Sequence, residues 1–151
     1  MSLNQTTVDA PPQVVWELLA EPPTYQEWVV GNQAVRDHDR NWPAAGTEFH
    51  HTIGFGPVTV KDRTVAVESE PARRLVMNVR FWPVGHGLVT FGLEPAGAAG
   101  TRVVMDERPL GGPVRVLWLA CAPLVRLRNA ETLRRLKRCA EARHRGAARE
   151  R

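Results

Sequence analysis

The spacing of apolar residues along this chain changes period twice, and each change predicts a change of element. Residues 3–8 carry a weak pattern that fits one short strand. Val14, Val15, Leu18 and Leu19 then fall at helical spacing, with Trp16 beside them. Ala10-Pro11-Pro12 precedes them, and proline is tolerated in a first helical turn. Pro22-Pro23 closes this helix, because a residue before proline avoids helical angles. Residues 24–28 predict a second short helix.

From residue 34 to 108 the period drops to two, the mark of strands with one buried face. Asn41-Trp42-Pro43-Ala44-Ala45-Gly46 predicts a loop. Phe49, His51 and Ile53 share one face of the strand that follows, and Gly54 with Gly56-Pro57 predicts its turn. A long strand is expected over residues 58–70, ended by Pro71-Ala72-Arg73. Next, Leu75, Met77, Val79 and Phe81 alternate with Val76, Asn78, Arg80 and Trp82, and residues 83–87 predict a turn. Val89, Phe91 and Leu93 make another apolar face, and residues 95–100 another turn. Val103 and Met105 then oppose Arg102 and Asp106. An antiparallel sheet of this kind, about six to seven strands by this pattern, must cover its apolar side.

The second change restores the helical period. Leu124, Leu127, Ala130, Leu133, Leu136 and Ala140 predict a long covering helix that starts near Pro123. Arg126, Arg128, Arg134, Arg135, Lys137 and Arg138 lie largely off that stripe. Residues 114–121 predict a separate turn or short helix, and the polar residues 143–151 a frayed tail. The expected architecture is α+β: a curved antiparallel sheet wrapped around a long C-terminal helix, with two short helices after the first strand. Residues 1–142 form one domain in this reading.

Composition adds one refinement. The chain has 151 residues, 43% hydrophobic and 24% charged, with net charge +4 and pI ≈ 9.8. These values fit an ordinary globular domain and exclude disordered or collagen-like classes. The charge is divided unevenly, with residues 1–112 at net −4 and residues 113–151 at net +8. No stretch reaches the ~20 apolar residues of a membrane span, and the first residues lack a basic-then-apolar leader. A cytoplasmic location is expected, and Cys121 and Cys139 are expected to stay unpaired there.

Several local sequences resemble one family. Val14-Val15-Trp16-Glu17-Leu18-Leu19, followed by Tyr25-Gln26-Glu27-Trp28, resembles its first helix and the aromatic turn after it. Gly46-Thr47-Glu48-Phe49, Glu70-Pro71-Ala72-Arg73-Arg74-Leu75, and Leu93-Glu94-Pro95 with Gly100-Thr101-Arg102-Val103 resemble its strand openings and hairpins. Arg128-Asn129-Ala130-Glu131 with Leu133 and Leu136 resembles its last helix. The family is the SRPBCC superfamily with the START-like helix-grip fold, the polyketide cyclase/dehydrase and lipid-transport group. The resemblance implies a cavity between sheet and long helix. It does not imply one activity, since many functions occupy this fold.

Candidate chemistry is sparse. Alternation turns His51 toward the expected cavity and His50 away from it, so the pair cannot chelate one ion as a strand. His51 is either a ligand contact or acid–base group, or a buried imidazole paired by a neighbour. No nucleophile elbow, phosphate loop or dinucleotide fingerprint occurs, and neither cysteine has nucleophile surroundings. No metal site and no cofactor are expected. Trp28, Phe49, Met77, Phe81, Phe91 and Met105 are candidate cavity walls, the alternative being a filled core. Asn129 is either a polar handle in the cavity or a local structural bond.

Three functions follow. The first is binding of a small hydrophobic or amphipathic molecule of lipid, polyketide or isoprenoid type. The second is a cyclase or dehydratase using the same cavity, with His51 as acid or base. The third is docking of an anionic membrane or acidic protein on the basic helix. Nucleic acid is not an expected partner, because aromatic residues are not interleaved with the arginines.

Overall fold

The structure, a computed structural model, describes residues 2–81 and 85–151, apart from the side chain of Phe81. Its elements are β1 (Ser2–Val8), α1 (Pro12–Leu19), a 3-10 turn (Pro22–Thr24), α2 (Tyr25–Trp28), β2 (Asn32–His38), β3 (Glu48–Phe55), β4 (Val58–Glu70), β5 (Arg74–Phe81), β6 (Gly85–Ala96), β7 (Gly100–Gly111) and α3 (Val114–Arg149). Trp82 and part of the turn expected over residues 83–87 lie outside the described residues.

The seven strands form one antiparallel sheet in the order β1-β7-β6-β5-β4-β3-β2. Every strand from β2 to β7 therefore pairs with its chain neighbour, the meander expected from the alternating pattern. β1 returns to pair with β7, Ser2 opposite Glu107 and Val8 opposite Thr101. The buried face carries Phe49, Ala66, Leu75, Met77, Val89, Phe91, Leu93, Val103 and Met105. A register shift between Ala66 and Glu68 bends β4 and leaves Val67 on the solvent side. At the β3–β4 tip Gly54 has φ +150°, and a Cβ there would lie 2.1 Å from the Val58 carbonyl oxygen, so only glycine fits this tight return.

α1, α2 and α3 cover the apolar face. α3 is one helix of 36 residues. The separate element expected over residues 114–121 is its first part, and Pro123 lies inside it. Pro123 is exposed, so the carbonyl that it cannot bond lies toward water, where solvation replaces the lost bond. The helix also continues through the residues expected as a tail. There Arg143 holds Glu21 in a two-pronged ion pair of 3.1 and 2.9 Å.

The covering stripe differs from expectation too. Leu133, Leu136 and Ala140 are buried, whereas Leu124, Leu127 and Ala130 are exposed. Residues three apart advance about 300°, so each step falls about 60° short of a full turn. A run of such steps walks around the helix. The series that starts at Leu124 begins on the outside and ends inside at Leu136.

Candidate functional site

Between the sheet and the helices lies a cavity of about 530 Å³, within the range of small-molecule sites. Trp28, Phe49, Met77, Phe91 and Met105 line it, five of the six expected wall residues, and His51 lines it with them. The Phe81 side chain lies outside what is described. Phe55 and Val58 also line the cavity and are widely exposed, which marks the β3–β4 tip as part of its mouth.

The aromatic wall is apolar because its polar atoms are bonded elsewhere. α1 ends at Leu19, whose carbonyl has no helical partner. The Tyr25 hydroxyl donates to it at 2.7 Å and the Trp42 indole at 3.0 Å. Trp28 donates its indole N–H to Thr24 Oγ1 at 3.1 Å. Their rings pack edge to face or tilted, with Tyr25–Phe49 centroids at 4.9 Å and Trp28–Phe91 at 5.8 Å. Burial pushes the Tyr25 phenol well above its ordinary range, so it stays neutral.

His51 is 4% exposed. Its Nε2 is 3.0 Å from Thr64 Oγ1, while Nδ1 has no partner. One nitrogen is thus held by a hydroxyl and the other is open. Burial pushes its pKa down to about 4, against the attraction of the nearby Asp62 carboxylate. The imidazole is neutral at ordinary pH and has no proton to give as an imidazolium. Asn32, also lining the cavity, has its Oδ1 buried without a partner.

A second polar group sits four strands away from β3, on β7. The Glu107 side chain is 1% exposed and lines the cavity. Its Oε2 accepts from Arg128 at 2.6 Å and from the Asn129 amide at 2.7 Å. Asn129 Oδ1 in turn accepts from Arg128 at 2.8 Å. Asn129 is fully buried but is not a wall residue. Its amide braces the Glu107–Arg128 pair, which is the local structural bond rather than the polar handle. Sequence reasoning missed Glu107, Arg128 and Asn32. Glu107 had a readable signal, since it shares strand parity with Val103 and Met105.

Among the described residues no three of His, Cys, Asp and Glu gather as metal ligands. No described helix is long and apolar enough to cross a membrane.

Solved structures share this fold. A protein of unknown function from Staphylococcus aureus superposes with a TM-score of 0.73 at 8% identity, covering 93% of each chain. A protein from Nitrosomonas europaea gives 0.71 at 17% identity, covering 93% of this chain and 94% of its own. The Zhui aromatase/cyclase from Streptomyces sp. R1128 gives 0.71 at 19% identity, covering 93% of each. No curated protein sequence matches the chain. One family model does, over residues 2–141, from β1 through most of α3. By that match, and with the helix-gripped sheet its residues predict, the chain belongs to the polyketide cyclase/dehydrase and lipid transport family.

Proposed function

We propose that the cavity binds a small, largely apolar molecule carrying at least one hydroxyl group, of polyketide, lipid or isoprenoid type. One observation carries the reading. An apolar cavity contains two buried polar atoms with no protein partner, His51 Nδ1 and Asn32 Oδ1. Unpaired buried polar atoms are costly, and a ligand hydroxyl would satisfy Asn32 Oδ1. Burial of the rest of the molecule against Trp28, Phe91 and Met105 supplies affinity at about 25 cal/mol per Å² of apolar surface.

Displacement of an apolar fluorescent dye by a panel of hydroxylated polyketides, isoprenoids and lipids tests this, with native mass spectrometry to give stoichiometry. Val79 also lines the cavity, and Val79→Trp fills it. Binding at one site that this variant loses is the expected result. Val60→Trp, on another strand of the lining, serves if the first variant fails to fold. A folded, filled variant that binds as well as wild type rejects the reading.

Family membership and the open His51 nitrogen favour a second reading, cyclisation or dehydration of a polyketide-like substrate in the same cavity. A neutral imidazole with a pKa of about 4 is a weak base at pH 7. Such an enzyme would rely mainly on holding the substrate in a reactive fold. His51→Gln would then lower turnover more than binding, and full turnover by that variant counts against the role.

A further inference from the structure

β3, β5 and β7 run in one direction, so the β3–β4 tip, the end of β7 and the start of α3 share one edge of the sheet. That edge is apolar where it meets water. Val116, Leu119, Leu124 and Leu127 are between 67% and 81% exposed. At the tip, Phe55 and Val58 are 72% and 75% exposed. Val116, Ala120, Leu124 and Leu127 form one stripe at helical spacing, so these side chains make a continuous ridge. Isolated exposed leucines need no explanation, but a contiguous apolar ridge does.

The charge that this stretch of α3 adds is positive. Residues 108–130 contain four arginines and no acidic residue; Arg108 pairs with Asp106 and Arg128 with Glu107, which leaves Arg115 and Arg126 as the arginines beside the exposed leucines. Arg115 and Arg126 lie along one side of the ridge, both exposed. A second copy of the chain would set these arginines against one another without a carboxylate between them. A lipid surface accepts a protruding ridge in any register and places arginine heads at the level of its phosphates.

We infer that the first part of α3, together with the β3–β4 tip, docks on an anionic lipid surface. The leucines and Phe55 enter the boundary between headgroups and acyl chains, and Arg115 and Arg126 hold the phosphates. Because Phe55 and Val58 also form the cavity mouth, docking turns that mouth toward the membrane. The inference does not depend on what the cavity binds, and dye binding and vesicle binding can fail separately.

Flotation of the full chain tests it, with vesicles of phosphatidylcholine alone or mixed with phosphatidylglycerol. Wild type floats with the mixed vesicles, and binding falls about tenfold without the anionic lipid or at high salt. Leu119→Asp with Leu124→Asp lowers binding about tenfold or more, and Phe55→Asp several-fold, at unchanged melting temperature. Arg115→Glu with Arg126→Glu lowers it at low salt. The inference is overturned if wild type stays with the unbound fraction, if it binds neutral vesicles equally, or if the leucine variant floats like wild type. It is also overturned in favour of a second copy if light scattering finds a dimer that the leucine variant splits.

Discussion

α3 carries two kinds of outer face. From residue 114 to 127 the side turned away from the sheet presents Val116, Ala120, Leu124 and Leu127. Two turns later the same side presents Arg134 and Arg138. The inner side is mostly apolar, with Val114 and Trp118 in the first part and Leu133, Leu136 and Ala140 in the second, and the buried polar residues Asn129 and Thr132 between them. The second part is an ordinary amphipathic helix, and water solvates its back. The first part is apolar on both sides, and nothing in the fold requires its outer leucines. Burial and charge therefore separate within one continuous helix what the fold needs from what the surface offers.

Substitution should expose this division, and the largest effect belongs to the clamped part. Leu136→Ala is expected to cost about 3 kcal/mol through lost burial and a residual cavity, measured by urea unfolding. Leu124→Ala should stay within about 0.5 kcal/mol because its side chain is already in water. Equal losses at the two sites would erase the distinction.

At the junction of the two parts, Arg128 and Asn129 hold the buried Glu107. Arg128→Met leaves that carboxylate with one bond fewer and is expected to cost about 2 kcal/mol, allowing for the partial exposure of Arg128. Adding Glu107→Gln should recover part of the loss. A double variant no better than Arg128→Met would show that the pair is not coupled.

A pH-dependent effect comes from His51, at the other side of the cavity. Its folded pKa of about 4 lies below the ordinary 6.5, so the unfolded chain binds the extra proton between those values. The stability it contributes is complete above pH 6.5 and falls as pH drops toward 4, by about 1.4 kcal/mol per pH unit. His51→Gln should flatten this part of the profile. An unchanged slope in that variant would place the titration elsewhere.

Parity along the strands made most of the sheet legible. Phe49, His51 and Ile53, the β4 span Val58–Glu70, and the faces of β6 and β7 follow from alternation that pairing preserves. The helix was harder to read, for two physical reasons. A string of steps of three drifts around the axis, so the spacing reads Leu124 and Leu136 as one stripe although they point about 120° apart. Pro123 reads as a boundary, but it lies inside the helix on its exposed side, where water can solvate the carbonyl it leaves unbonded. Asn129 stands out in the sequence, but the role of both Arg128 and Asn129 depends on a partner on β7, which no local pattern announces. Glu107 shares strand parity with Val103 and Met105, although a charged residue is rarely buried without a partner.

A titration that keeps the cavity apart from the exposed ridge is the most direct test of the account. An apolar fluorescent dye is titrated into wild type, Val79→Trp and the Leu119→Asp, Leu124→Asp variant, with melting curves to confirm folding. The account predicts one saturable site that Val79→Trp abolishes and the leucine variant retains. Binding kept by folded Val79→Trp and lost in the leucine variant would place the dye on the ridge and contradict a ligand-binding cavity.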